Sequence, residues 1–509
     1  MATQSALEDQ AAGTDGARPP AVPIVAGFYP DPSICRVGQD YYLANSSFEY
    51  LPGVPLFHST DLISWKQIGN ALQRPDQLDV SQAASSLGVC APTLRHHEGT
   101  FWLITTNSAQ VERGHLLLSA EDPAGPWSPA RYIPGVIGID PDLAWDEDGT
   151  CYLTWTSFDP RWFGIVQATL DTTTGQLLEE PRQLWSGTGL ASPEGPHLLR
   201  RGSWWYLLLA EGGTERGHSV TVARSRSPRG PFEPHPHNPV LTHRSTDHPV
   251  QNTGHADLVE GPDGQWSMVH LGVRPRGGGP GFHVNGRESF LVGVDWQDDW
   301  PVIDENRYSV PAADHSFIDT FDTSTLHPRW ISPRRSPEDF TAPAPGGGLH
   351  IEATAEHNGA LLTRTRDEHW RVDVTIATDG GATARFALRL DDNHWYALDA
   401  DATSVTARAQ VGTLGQSVAQ SPRDSDGTPV HLFIRTRPAV SSHPALPTDP
   451  DLIDLGHLDG EQEVLLATLE GRYLSSEVAG GFTGRVVGVQ ALDASAHLQR
   501  FEYRTTSAT

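Results

Sequence analysis

The residues best suited to chemistry are acids that recur at one point of a repeating pattern. Asp31, in Tyr29-Pro30-Asp31-Pro32-Ser33, is followed by a Gly turn at Gly38 and an aromatic strand from Tyr41. The same order returns four times: a leading residue, a small residue or Pro, a short apolar run, a Gly turn and an aromatic strand. The later copies lead from Ala91 to Phe101, from Asp140 to Cys151, from Glu194 to Trp204 and from His255 to Trp266. Read this way, the leading residues are Asp, Ala, Asp, Glu and His. Three carboxylates and an imidazole at equivalent points of a repeat read as one site. Carboxylates gathered in a cleft push one another's pKa apart, so that one stays protonated while another stays ionised. Cleaving a glycosidic bond needs that division, an acid for the leaving oxygen and a base for water. Taken singly, each residue has a plainer reading. Asp before Pro is common in turns, and Asp142, Asp146 and Asp148 read as turn residues. Glu211, Asp257 and Glu260 read as structural.

The element that would bring such residues together is a β-propeller, because the innermost strand of every blade lines one axis. The aromatic strands start at Tyr41, Phe101, Cys151, Trp204 and Trp266, intervals near the length of a four-stranded blade. The expected architecture is all-β. Residues 1–20 form a disordered lead, 21–311 a five-bladed propeller carrying the site, and 312–509 a β-sandwich. The last assignment rests on period-two alternation, as in Ala384, Phe386, Leu388 and Leu390 against Arg385 and Arg389. A solenoid is excluded by the long period and the missing helical stripes. The 15 Trp, 11 Tyr, 16 Phe, 49 Gly and 40 Pro, with scarce Lys, suit short strands and tight turns. A formal charge of −27 argues against nucleic acid or an anionic membrane surface as partner. Cys35, Cys90 and Cys151 are odd in number and lack metal-type spacing, so buried free thiols are expected. Met1 to Pro20 has no basic region followed by an apolar core, which makes cytoplasmic the expected location.

Longer segments carry a resemblance. They are Gly27-Phe28-Tyr29-Pro30-Asp31-Pro32-Ser33, Ser47-Phe48-Glu49-Tyr50, Ala91-Pro92-Thr93-Leu94, Ile139-Asp140-Pro141, Glu194-Gly195-Pro196-His197, Gly254-His255-Ala256-Asp257 and Gly286-Arg287-Glu288-Ser289, with Tyr473 to Gly484 in the second half. Together they resemble glycoside hydrolase family 43, in its two-domain β-xylosidase/α-L-arabinofuranosidase branch with a concanavalin-like C-terminal sandwich. The resemblance implies an inverting exo-hydrolase that releases terminal xylosyl or arabinofuranosyl units from xylan-derived oligosaccharides. Asp31 would be the general base, Glu194 the general acid, and Asp140 the residue that raises the acid's pKa and orients it. Arg287 would bind substrate hydroxyls. His255 would sit near the axis, where some members hold a water or a cation such as calcium. No cofactor is needed for this chemistry, and base and acid carboxyls roughly 6.5–9.5 Å apart would leave room for the water.

One position departs from many relatives: Cys90 stands where an aromatic wall of the sugar subsite is common. Stacking must then come from elsewhere, with Phe48 and Trp102 the candidates. Two other readings compete. A retaining fructosidase-type propeller would want Asn-Asp-Pro-Asn-like and Arg-Asp-Pro segments, which are missing. A non-catalytic carbohydrate-binding propeller would not need all three acids. Xylosidase and arabinofuranosidase preference, and a homo-oligomer, are left open by the sequence.

Overall fold

The computed structural model describes residues 22–353, 359–378, 382–423, 428–438 and 450–506. The expected disordered lead lies outside the described residues.

Five antiparallel sheets follow one another along the first part of the chain. The first holds Ser33–Val37, Asp40–Ala44, Gly53–Ser59 and Lys66–Leu72. The second begins with Val89–His97 and Thr100–Asn107, the third with Gly138–Trp145 and Cys151–Ser157, the fourth with Glu194–Arg201 and Trp204–Glu211, and the fifth with Gln251–Glu260 and Trp266–Val273. In each sheet the aromatic strand anticipated from sequence is the second strand, and the motif before it runs into the first.

The sheets pack face to face around a closed ring, which the apolar clusters make explicit. Leu56 and Ala44 of the first sheet meet Leu94 and Leu103 of the second. Ile104 and Leu117 of the second meet Leu153 and Val166 of the third. Tyr152 and Ile165 of the third meet Leu198 and Leu207 of the fourth. Tyr206 and Leu208 of the fourth meet Leu258 and Met268 of the fifth. Val259 and Val269 of the fifth return to Ile34, Leu43 and Phe57 of the first. Both faces of each sheet are therefore apolar, and the arrangement is propeller-like. The start of the chain ties the ring, with Val25 bridging to Ser289 and the Gly27 amide donating to Glu288.

The last strand of the fifth sheet ends at Asp304, and Phe317–Asp319 opens the second unit. Here an eight-stranded and a six-stranded antiparallel sheet enclose a core that includes Trp330, Trp370, Phe386, Leu388, Leu432 and Phe501. Ala384–Asp391 shows the expected alternation, with Ala384, Phe386, Leu388 and Leu390 buried and Arg385 and Arg389 less so.

The two units are knitted together. Tyr50–Leu51 pairs antiparallel with Ser332–Pro333. The Arg364 guanidinium of the sandwich lies buried 4.3 Å from the Phe28 ring centroid and 4.5 Å from that of Tyr29. Among the described residues no helix is long and apolar enough to cross a membrane. All three cysteines are free; Cys35 and Cys151 are buried, Cys90 half-buried.

Candidate active site

The five repeat motifs enter their first strands through one backbone device. Asp31 (φ 54°), Ala91 (φ 43°), Asp140 (φ 56°), Gly195 (φ 58°) and His255 (φ 47°) are all left-handed. Around four of them the strand pairing slips by a bulge. For side-chain-bearing residues this conformation is strained and is retained where the surroundings over-determine it. The conformation corrects the sequence register. The structural equivalent of Asp31, Asp140 and His255 in the fourth sheet is Gly195, and Glu194 stands one residue earlier. Glu194 thus reaches the cluster from a different rung than the other two acids. Gly195 is the one place in the set without a side chain. A Cβ there would lie 3.0 Å from His255 Nε2.

Asp31 is buried. Arg287 Nη1 donates to its Oδ1 at 3.0 Å, and the Ser46 hydroxyl donates to its Oδ2 at 2.5 Å. Ser46 is itself fixed by the Ala91 amide at 2.7 Å, so the second motif contributes backbone where the others contribute side chains. Burial alone would raise the Asp31 carboxyl. The charges of Arg287 and His255, with the Ser46 hydrogen bond, outweigh it and hold the group below the usual carboxylate value. Glu194 is only partly exposed and goes the other way. Burial first, then the neighbouring Asp140, push it from 4.5 to about 7, against the pull of His255 and Arg287. Asp140 accepts from the Gly195 amide at 3.0 Å and faces His255 Nε2 at 3.7 Å. Burial would lower His255, but Asp140, Asp31 and Glu194 raise it to about 9, making it an imidazolium among carboxylates at neutral pH.

Beneath this cluster lies a second layer that sequence reasoning missed. Arg95, from the first strand of the second sheet, donates to Asp257 Oδ2 and Asp142 Oδ1, both at 2.7 Å, and lies 2.9 Å from His197 Nδ1. Both acids are buried: Asp142 is not the turn residue expected, and Asp257 is structural as expected. They sit two residues after the left-handed position, as Ser33 and His197 do, and that offset is the signal that could have found them. Asp146 does hold a turn, accepting from the Asp148 and Thr150 amides.

A cleft of about 1090 Å³ opens beside Arg287 and is lined by Thr214, Arg216, loop residues 245–249, Gln251, Asn252, His283, Glu477 and Phe482. The three acids are not among its lining residues, and Arg287 is the link between them and the cleft. Arg287 also donates to Thr214 Oγ1 at 3.1 Å. Phe48 is buried, its ring stacked at 6.0 Å on Phe482 of the sandwich. The Arg287 guanidinium lies 5.8 Å from the Phe48 centroid and 5.4 Å from that of Phe482. Trp102, the other aromatic candidate, packs near Trp145 between the second and third sheets instead. Cys90 lies beside the acids. Burial, then Asp140 and Asp31, push its thiol well up, so it stays protonated. Phe482 was not legible as a site residue because it lies in the other unit. The Ser86 hydroxyl accepts from its amide at 2.9 Å, which anchors its loop to the propeller.

Residues 20–301 match the model of the glycosyl hydrolases family 43, and residues 318–504 that of the beta xylosidase C-terminal concanavalin A-like domain. The chain belongs to glycosyl hydrolase family 43. It is 35% identical to a non-reducing end alpha-L-arabinofuranosidase of Bacteroides ovatus, over 92% of this chain and 90% of that one. It is 42% identical to a xylosidase/arabinosidase of Butyrivibrio fibrisolvens, over 62% of this chain and 65% of that one. A solved structure, the Bacteroides ovatus xyloglucan-locus GH43B, superposes with a TM-score of 0.85 at 32% identity, covering 96% of this chain and 99% of the other. Hydrolases of this family generally need no cofactor.

Proposed function

We propose that the protein is an inverting exo-glycosidase that removes terminal β-D-xylosyl or α-L-arabinofuranosyl residues from xylan-derived oligosaccharides. The observation that carries the reading is the divergence of two carboxylates in one cluster. Asp31 is held ionised, while Glu194, raised to about 7, keeps a proton near neutrality. Asp31 then accepts a proton from water as it attacks the anomeric carbon. Glu194 delivers its proton to the leaving oxygen on the opposite face of the sugar. Asp140 acts on the acid, since its charge is the second cause of the Glu194 shift and its carboxylate is fixed by the neighbouring Gly195 amide. Arg287 serves both sides: it orients Asp31 and presents its remaining donors to sugar hydroxyls. Phe48 and Phe482 supply the apolar wall that Cys90 cannot. His255 supplies the cation beside Asp140.

The axis does not fit a calcium ion. Its two deepest carboxylates, Asp142 and Asp257, are both engaged by the Arg95 guanidinium, which already supplies positive charge there. A retaining fructosidase-type reading and a non-catalytic reading both lose support, the latter because a shifted acid and a fixed base are unneeded for binding.

The test is hydrolysis of aryl β-xyloside and aryl α-arabinofuranoside by wild type, Asp31→Ala and Glu194→Ala. Product anomers from a xylotriose digest would be followed by NMR. First-formed product of inverted configuration is expected. Retained configuration, or full rates in both variants, would overturn the assignment.

A further inference from the structure

A second cluster of chemically capable side chains lies outside the acid site, at the edge of the fifth sheet. His243 and His248 belong to the loop that precedes the strand Gln251–Glu260, and Glu305 follows the strand Trp300–Asp304. One ligand atom from each lies within 4.8 Å of the others. His243 Nε2 is 2.8 Å and His248 Nε2 3.7 Å from the same carboxylate oxygen, Glu305 Oε2. Ligand atoms on a tetrahedral zinc-sized ion at about 2.1 Å would be about 3.4 Å apart, so the three need only small movements to close on one.

The opposite edges of both rings explain why the nitrogens face inward. His243 Nδ1 is 2.8 Å from the Val250 carbonyl oxygen, and His248 Nδ1 is 3.0 Å from that same oxygen. A carbonyl only accepts, so at His243 it is served by an Nδ1–H, which places Nε2 on the side of Glu305. The Thr253 hydroxyl adds a 3.0 Å contact to His243 Nδ1. The Val250 amide also approaches His248 Nδ1 at 3.1 Å, and metal binding would select against that tautomer. His243 Nε2 and Glu305 Oε2 already meet at 2.8 Å as a hydrogen-bonded pair, so a cation taken by both would replace the proton between them. The rings lie 3.6 Å apart between centroids, so both imidazoles reach the same small volume. A cavity of about 290 Å³, also lined by His270 and Tyr308, adjoins the three residues and gives room for water to complete the shell.

We propose that His243, His248 and Glu305 form a binding site for a divalent transition cation of the zinc class. Two imidazoles and one carboxylate are the donor set such ions take, in contrast to the all-oxygen shells of calcium and magnesium. The ion's role is to hold a loop. Ser245, Thr246, Asp247, His248 and Pro249 line the large cleft beside Arg287. Tying His243 and His248 to Glu305 fixes that wall from behind. The metal takes no part in acid/base chemistry, and its binding is measurable whether or not the glycosidase reading holds.

The test uses the full chain, stripped with chelator, desalted and titrated with zinc chloride by calorimetry, with bound zinc counted by elemental analysis after dialysis. One zinc per chain is expected, with a rise of a few degrees in melting temperature. Glu305→Gln, and separately His248→Gln, should weaken binding at least about tenfold to a hundredfold and abolish the thermal shift. Cobalt(II) in the native protein should give visible absorption bands that Glu305→Gln alters, a readout independent of turnover. The assignment is overturned if the native chain retains no zinc, or if both variants bind it with native stoichiometry and affinity.

Discussion

Asp31 and Glu194 are carboxylic side chains of one cluster, and burial pushes both upward. Their partners decide which way each finally moves. Asp31 has a guanidinium at 3.0 Å and a hydroxyl at 2.5 Å, whereas Glu194 has Asp140 as its strongest charged neighbour. With Glu194 as the proposed acid, removing it should hurt most where the leaving group most needs a proton. Glu194→Ala should lose about 10²–10⁴-fold in kcat/KM on xylobiose but much less on a nitrophenyl glycoside, while Asp31→Ala should lose activity on both. Steady-state rates on the paired substrates check this. The second expectation concerns pH. The Glu194 proton is lost as pH rises through about 7, so kcat/KM should fall there, with the lower limb set by Asp31 below the usual carboxylate range. The same shift makes a stability statement. The folded value lies above the ordinary 4.5, so stability is intact below 4.5 and declines until pH passes about 7. Glu194→Gln should therefore match wild type at pH 4 and be more stable at pH 8 by at most about 3 kcal/mol, seen by denaturant melts at the two pH values.

At the scale of the element, the repeated first strand does two jobs, and the sequence revealed one of them. The left-handed residue at its entrance aims Asp31, Asp140 and His255, and the Pro and Gly around it made that point visible in the chain. Position Glu194 was legible as a member of the cluster but in the wrong register. Gly195 carries the left-handed turn, and only backbone angles separate two adjacent residues. The layer below stayed hidden because Asp142 looks like a turn acid and Asp257 like any structural acid until Arg95 is seen between them. Nothing local in Arg95-His96-His97 announces an axial guanidinium, since its side-chain partners come from the four other sheets. This layer predicts a specific cost. Arg95→Met would leave two buried carboxylates without their cation and should destabilise the fold by about 3–5 kcal/mol. Arg95→Lys, which keeps the charge but not the fork, should recover only part of that. Chemical denaturation of the two variants beside wild type provides the comparison. Equal loss in both would mean geometry matters more than charge, and no loss in either would remove Arg95 from the structural account.

For the whole molecule the question is why the propeller-like unit carries a sandwich at all. The second fold was legible in the sequence, but not which of its residues line the cleft, because those lie on one turn from Ser476 to Phe482. That turn places Phe482 against Phe48 and Arg287, with Glu477 accepting from the His283 amide at 3.0 Å and pairing with His283 Nδ1 at 2.7 Å. The propeller face beneath it is apolar: Phe28 and Tyr50 are fully buried and pack with Ile331, Ala360, Leu362 and Val486 of the partner fold. Cutting the chain near residue 312 would expose those rings and remove one wall of the cleft together. A propeller ending there should therefore aggregate or melt well below the full chain, and the full chain should unfold in one calorimetric transition. Phe482→Ala separates the two effects, because it leaves the docking strands and the Phe28–Tyr50 cluster in place. Its melting temperature should stay within a few degrees of wild type while KM rises about tenfold, the size of a lost aromatic contact worth about 1–1.5 kcal/mol. If Phe482→Ala left KM unchanged, the sandwich would be a buttress only, and the aromatic wall of the sugar subsite would have to be sought in Phe48 alone.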